Sequence, residues 1–460
     1  MLEHHPDRNA LERFSRGQAT APEERWIEDH LRAGCPVCQP EVDALLAPTL
    51  DASLLSQLGL ALPAPAAAER MADDALWSRV LQRLEQRMAL VLVERSAAPG
   101  LVAELLEKPA SGRTERVRAE RRFQTLAVCE LLIEKSFETG FGDPLEAQAL
   151  AWLGLQVAEL LDPETYGPSV VRDLAARAWA YLGNARRLAF DLTGAEEALA
   201  RAEEIAETGS ADPLEEARIL DFKASLLSDQ GRFEQAAELL DIVIDIYGSL
   251  KEGHLRGRTL ISKGAVLGHS GWPEEAIRVL REGLSLVDWE REPRLVLMGR
   301  HNLAWFLTDC GRGEEARTYL ERFRHTYSHF HDTWTELRLL WLSGRIAAAT
   351  GRLEEAGLAL REARRRFLAG GQGYEASLVT LELANLYLQQ RRTADVRQLA
   401  REMLPVFLSQ DVHREALSAL AVFQRAAEAD GATPGLVRRI SDYLLRARRN
   451  PNLRFETAAA

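Results

Sequence analysis

The sequence predicts an all-α protein in which a small helical metal-binding module precedes a long α-solenoid of helical hairpins. Three observations carry that expectation. Apolar residues recur at helical spacing from Ala75 onward. One segment of about forty residues repeats six times between residues 166 and 430. At the head of the chain, Cys35 and Cys38 form a C-x-x-C behind several histidines, in a stretch too poor in apolar residues to fold unaided.

A chain of 460 residues with 46% hydrophobic and 27% charged residues can bury a sizeable core, which excludes a mainly disordered or collagen-like protein. The formal net charge of −12 argues against whole-surface binding to nucleic acid or anionic membrane. No apolar run approaches the length of a membrane span, and MLEHHPDRNALERF lacks the basic-then-apolar order of a secretory signal, so the expected compartment is the cytoplasm. Four cysteines are too few for a disulfide framework; Cys129 and Cys310 lie alone in helical patterns and read as small buried residues.

Residues 1–47 read as two or three short helices, with Leu11, Phe14, Trp26, Ile27 and Leu31 as apolar positions and Thr20, Pro22 and Glu23 as a helix start. The staple this module needs is present in HLRAGCPVC: His30, Cys35 and Cys38 offer imidazole nitrogen and thiolate sulfur, the donors zinc favours in a closed tetrahedron. His4 or His5 supplies the fourth. With all four positions filled by protein, such a zinc is structural and not hydrolytic. A redox dithiol fits less well, because no strand precedes the C-x-x-C. Five arginines against nine acidic residues in positions 1–50 argue against direct contact of this module with DNA.

The order of these residues, with His4, Phe14 and Gly17 followed by His30, Cys35 and Cys38, resembles the zinc-binding module of bacterial anti-sigma factors. That resemblance puts His4 at the opening ligand, Phe14 and Gly17 at an aromatic-x-x-Gly turn, and His30, Cys35 and Cys38 at the closing ligands. It departs from the family in opening with His where Cys is usual, and in placing four residues between His30 and Cys35 where three are usual. It implies a sigma factor as one class of partner.

Residues 48–74 are rich in Ala, Pro, Leu and Ser and read as a tether with one apolar segment, Leu54 to Leu62. Residues 75–165 continue as degenerate helical hairpins, with breaks expected near Ala98–Gly100, Pro109–Gly112 and Gly140–Pro144. The basic stretch from Lys108 to Arg122 has glutamates within and beside it, which favours a solvated helix face over nucleic-acid contact.

The repeat occupies residues 166–430. Its small residue falls at Ala195, Ala236, Ala276, Ala316 and Ala356, with Val396 in the sixth unit, at successive spacings of 41, 40, 40, 40 and 40. Twelve positions earlier stand Gly183, Ala224, Gly264, Ala304, Gly344 and Ala384, and four positions later Leu199, Leu240, Leu280, Leu320 and Leu360. Two antiparallel helices account for this pattern: small residues face each other where the helices approach most closely, and Gly231, Gly271, Gly311 and Gly351 turn the chain between them. Residues 431–460, containing a basic amphipathic helix, then read as a C-terminal cap and tail.

In AWAYLGNARRLAFDLTGAEEALARA, residues Trp179, Leu182, Gly183, Ala195, Leu199 and Ala202 resemble the tetratricopeptide (TPR) pattern, with a period nearer 40 than the usual 34. The resemblance implies a right-handed superhelix whose first helices line a surface suited to peptide or helical segments. On those helices Arg177, Arg218, Arg258 and Arg338 recur six positions before the small residue, while Asn184, Trp305, Arg345 and Asn385 follow it by one. Together with Trp341 they are candidates to hold peptide backbone and acidic side chains; the arginines alternatively pair with acidic residues of neighbouring helices.

No catalytic constellation stands out. G-x-x-x-x-G-K-[ST], H-E-x-x-H and G-x-S-x-G are missing, and GHSGW, from Gly268 to Trp272, sits in a repeat turn. His325, His329, His331 and Asp332 cluster at a hairpin end and read as ordinary polar residues there. The expected function is that of a non-enzymatic bacterial regulator or adaptor that binds protein or peptide partners, the alternative being a sigma-factor-binding regulator.

Overall fold

The computed structural model describes residues 5–15, 23, 26, 27, 30, 35, 38, 74–140, 142–408, 414–429, 431–447 and 455. His4, Gly17, Thr20, Pro22, Leu31 and the tether up to residue 73 lie outside the described residues. Among the described residues every regular element is helical. The chain divides into two compact units, residues 1–179 with 204–212, and residues 180–203 with 213–460.

The first unit opens with α1 (Arg8–Ser15), on which Ala10 and Leu11 share a small buried cluster with Ile27, Cys35 and Cys38. Next comes α2 (Asp74–Leu106), whose 33 residues include Pro99. The helix break expected at Ala98–Gly100 does not occur. Ala98, Val102 and Leu105 are all buried on one face of α2, and α2 packs on α4 (Leu126–Thr139). At about 1.5–3 kcal/mol for each large apolar side chain buried, that packing offsets a cost of about 3 kcal/mol for a proline inside a helix. The break at Pro109 is present, and α3 (Ala110–Ala119) follows it.

Four of the six basic residues from Lys108 to Arg122 have side-chain partners within the chain, Arg118 on Gln156. Arg116 pairs with Glu104 and Glu120, Arg122 with the same two glutamates, and Arg113 with Glu146, while Arg116 and Arg122 both lie over the Phe123 ring. Helices α4 and α5 (Pro144–Ala158) form a hairpin. Thr125 and Asp143 cap their N-termini, and Ser136 Oγ donates to the Ala147 carbonyl at 2.7 Å inside the pair. A single-turn helix, α6 (Pro163–Tyr166), leads to α7 (Pro168–Leu188), whose residues up to Trp179 belong to this unit.

The second unit is an ordered series of helical hairpins. After the remainder of α7 come α8 (Leu192–Ala206), α9 (Pro213–Asp229), α10 (Phe233–Ser249), α11 (Gly253–His269) and α12 (Pro273–Leu286). The series continues with α13 (Pro293–Asp309), α14 (Gly313–Phe323), α15 (Thr333–Ala349), α16 (Leu353–Ala369), α17 (Gly373–Gln389) and α18 (Thr393–Leu408). From α9 to α18 each helix packs on the next. The forty-residue period has a simple origin: α9, α10 and α11 each run 17 residues and are joined by three-residue turns. There the residues beyond the usual TPR length go into longer helices, whereas α8 and α12 are each followed by a six-residue connection and α14 by a 3₁₀ segment, Arg324–His329.

The small residues do what close packing requires. A Cβ on Gly264 would come within 2.5 Å of Leu280 Cγ and 3.4 Å of the Ala276 carbonyl, so the first helix rests directly on the Ala/Leu face of the second. Within each hairpin the connecting turn places one residue at positive φ: Gly231, Gly271, Gly311 and Gly351 at 73–95°, and Phe190 and Arg391 at 63° and 57° in the outer units. The amide after each of these residues reaches back five residues to a helical carbonyl, as Arg232 N–H does to Leu227 at 2.8 Å, closing a Schellman turn six times over.

At the end of the chain, α19 (Arg414–Glu428) and α20 (Pro434–Ala447) complete the unit. Val437, Ile440 and Leu444 of α20 are buried in one core cluster with Leu383 and Tyr387 of α17 and Phe423 of α19, so this helix covers apolar surface that a further repeat would otherwise cover.

Candidate functional site

Two sets of residues carry chemistry. The first lies in the small N-terminal cluster, where His5, His30, Cys35 and Cys38 bring one donor atom each to within 4.8 Å of one another. His5 Nδ1 stands 3.3 Å from His30 Nε2, 3.3 Å from Cys35 Sγ and 3.4 Å from Cys38 Sγ. A tetrahedral ion with bonds of about 2.0–2.3 Å separates its ligands by roughly 3.3–3.8 Å, so these spacings fit a single centre. Both thiols are buried and neither is joined in a disulfide, and His30 is 4% exposed. Two buried sulfurs and two imidazole nitrogens that face one another, with a meagre apolar cluster behind them, are a donor set suited to a metal ion. His5 takes the place open to either neighbouring histidine, whereas His4 lies outside the described residues.

The second set lies on the first helices of the repeats. In the first unit, Arg177 approaches Glu130 at 3.6 Å. In the second unit, Asn184 accepts from Arg187, whose guanidinium also reaches Asp229 at 2.5 Å; Arg218 lies over the Tyr181 ring; and Arg258 pairs with Glu292 at 3.3 Å. Asn385 keeps a buried amide oxygen with no hydrogen-bond partner. These arginines therefore do not stand as a row of isolated cations: each has an intramolecular acidic or aromatic contact.

Trp305, Arg338, Trp341 and Arg345 are brought together by α13 and α15. The two indoles meet edge to face at 5.0 Å, Arg345 lies 3.8 Å above the Trp305 ring, and Arg338 lies 5.3 and 5.8 Å from Trp305 and Trp341. Arg345 bridges Asp309 at 2.5 Å and Glu382 at 3.0 Å, and Trp341 Nε1 donates to Glu382 at 2.9 Å. Burial raises the Glu382 carboxyl above its ordinary range, against the pull of Arg345 and the indole.

His301 belongs to this cluster and was not among the residues the sequence singled out. It is 5% exposed, its Nδ1 lies 2.7 Å from the Tyr327 hydroxyl, and its ring centroid is 5.9 Å from that of Trp305. Its Nε2 is buried without a hydrogen-bond partner. Burial first, then Arg338 and Arg345, hold the imidazole well below its usual pKa. The available signal was positional: three residues before the small residue stand Ala180, Asp221, Ile261, His301, Trp341 and Leu381, one helical turn from the arginine position.

The remaining sequence features are structural. Asp332 caps α15 through the Thr335 amide and pairs with Arg294, and His329 packs edge to face on Trp289. Gly268 of GHSGW gives way to the Phe306 ring. Among the described residues no helix is long and apolar enough to cross a membrane.

No protein-family model and no curated protein matches the sequence. Among solved structures, a Rap protein complexed with competence and sporulation factor aligns with a TM-score of 0.54 at 13% identity, over 70% of this chain and 87% of that one. The fold is a TPR-like helical solenoid. Aspartyl phosphate phosphatase F from Bacillus subtilis also aligns, with a TM-score of 0.47 at 12% identity, over 90% of this chain and 96% of that one.

Proposed function

We propose that this protein is a non-enzymatic, cytoplasmic bacterial regulator or adaptor whose repeats hold a peptide or protein segment against their first helices, with a structural zinc module as a second interaction element. The observation that carries this reading is the cluster of Trp305, Arg338, Trp341 and Arg345 on the first helices of two successive hairpins. A half-buried indole, Trp305, and a buried one, Trp341, packed with guanidinium groups are the composition of interface hot spots. The Rap protein of the same fold was solved with a factor bound, which supports a binding role for such repeats. Within the second unit, Asn184, Arg218, Arg258 and Asn385 would extend the contact.

Zinc is the ion that best suits two imidazoles and two thiolates, and with His5, His30, Cys35 and Cys38 as ligands it would leave no open position. It would supply cross-linking of a module whose apolar cluster is small; the chain itself positions the donors.

Affinity capture from the native host tests the reading, with full-length bait compared with Trp305→Ala/Arg338→Ala and with Cys35→Ser/Cys38→Ser. A partner lost with the first pair and retained with the second supports binding through the repeats. A sigma factor lost only with the cysteine pair would overturn that reading in favour of a sigma-factor regulator.

A further inference from the structure

We propose that two copies of this chain pair through α16 about a two-fold axis, Leu358 of each entering a depression over the partner's Gly357 and Glu354 of each meeting the partner's Arg361. Two departures from the repeat stand side by side on this helix. The position two after the small residue is polar in the other five units, as Glu197, Glu238, Arg278, Thr318 and Gln398, but here it is Leu358, 65% exposed. Beside it, Gly357 lies inside the helix, where glycine is less favourable than alanine. Close packing does not force it, as it does Gly264. A Cβ on Gly357 would come nearest to the tip of the Arg361 side chain, at 3.1 Å, and to Leu386 Cδ2, at 3.7 Å, and a flexible tip gives way. The missing side chain contributes to a depression of about 270 Å³, lined by Glu354, Gly357, Leu358 and Arg361 of α16 and by Leu386 and Tyr387 of α17. Arg392, which also lines it, is held by Asp395 and lies over the Tyr387 ring.

A second copy of α16 fits this face. Glu354, Gly357, Leu358 and Arg361 stand at i, i+3, i+4 and i+7, so they share one side of the helix over about 10 Å. An antiparallel copy centred between Gly357 and Leu358 sets leucine against hollow twice and acid against base at both ends, the self-complementarity that a two-fold contact requires. Among the described residues Glu354 has no ion pair. Arg361 has no acidic partner there: its Nη1 donates to the Tyr387 hydroxyl at 3.2 Å, and its charge acts on Asp395 at a distance. Turning Arg361 from that hydroxyl to the partner's Glu354 exchanges a neutral acceptor for a carboxylate and uncovers Gly357 for the partner's Leu358. One helix on each side makes a small contact, so the pair is transient and forms with rising concentration. It leaves the first helices, on which the proposed function depends, untouched.

Sedimentation velocity of the full chain, from about 1 to about 300 μM, brackets such an association. The wild-type sedimentation coefficient should rise across that range, and Leu358→Gln should weaken association by roughly tenfold or more. Glu354→Arg and Arg361→Glu should each do the same alone, because like charges then meet at both ends. An equimolar mixture of these two variants should associate about as tightly as wild type, since both ends of a mixed pair join opposite charges. If Leu358→Gln does not fold, the charge variants decide alone. A wild-type chain that stays monomeric throughout overturns the proposal. Association that Leu358→Gln leaves unchanged also overturns it, as does a mixture no tighter than its components.

Discussion

Arg391 stands in the turn position that Gly351 fills one repeat earlier, with φ of 57° against 76°. An L-residue in that left-handed region is strained by about 1–2 kcal/mol, partly offset by the smaller entropy it loses on folding relative to glycine. Arg391→Gly should therefore stabilise the protein by about 0.5–1 kcal/mol. Phe190, at φ 63° and 84% exposed in the first repeat, should respond alike. Gly351→Ala should lower the denaturation midpoint. Chemical denaturation of the three variants checks this, and a midpoint that drops in Arg391→Gly would contradict it.

The repeat was legible because close helix contact restricts side-chain size at fixed intervals. Gly264 and Ala276 had to be small for Leu280 to lie between their helices, and the same reason recurs every forty residues. Positive φ was legible at Gly231 and Gly351 but not at Phe190 or Arg391, since in the outer units the register of the turn prevails over the preference of the residue. Pro99 misled for a related cause: burial of the flanking face of α2 outweighs the local preference. Pairing of the arginines with acidic residues of neighbouring helices was among the sequence's alternatives, as Arg258 does with Glu292, but the particular partners across repeats were hidden. Trp341 finds Glu382 forty-one residues on, and His301 finds Tyr327 in a 3₁₀ segment outside the periodic pattern, so neither pair is visible without the register of neighbouring helices. Likewise, the sequence of two adjacent histidines does not by itself say which of them faces the cysteines.

The metal centre makes a sharper distinction. His5→Ala and Cys35→Ser should each lower bound zinc from about one ion per chain toward none, while His4→Ala should retain it. Trp26 lies 6.4 Å from the His30 ring and is 43% exposed, so removal of the metal by a chelator should alter its fluorescence. Element analysis after gel filtration reads the first effect. Retention of metal by His5→Ala and its loss from His4→Ala would reverse the ligand assignment.

His301 makes stability depend on pH in a definite direction. Its folded pKa lies well below the ordinary value, because of burial and then Arg338 and Arg345. Above pH about 7 both folded and unfolded chains hold this imidazole neutral. Below about 6.5 the unfolded chain takes up a proton that the folded chain refuses, so stability falls with pH by up to about 1.4 kcal/mol per unit from this group. Asp221 and Glu382, whose carboxyls burial pushes up, act in the opposite sense at lower pH, but they are common to wild type and variant. The stability advantage of wild type over His301→Gln should therefore shrink between pH 8 and pH 5. Urea titrations across that range measure it, and a constant difference would exclude the linkage.

Arg345 ties three successive first helices, since Asp309 is on α13, Arg345 on α15 and Glu382 on α17. Arg345→Met keeps most of the stem over Trp305 but leaves the largely covered Glu382 carboxylate with only the Trp341 N–H for support. Loss of a partner to a buried carboxylate costs about 1–3 kcal/mol, and the lost cation–π contact adds about 0.5–2 kcal/mol. Glu382→Gln, which retains an oxygen for Trp341 and removes the charge, should recover the first part when combined with Arg345→Met but not the second. A double-mutant cycle by thermal denaturation separates the two contributions. If the double variant is no more stable than Arg345→Met alone, the buried charge is not what the arginine neutralises, and its role is confined to Trp305 and Asp309.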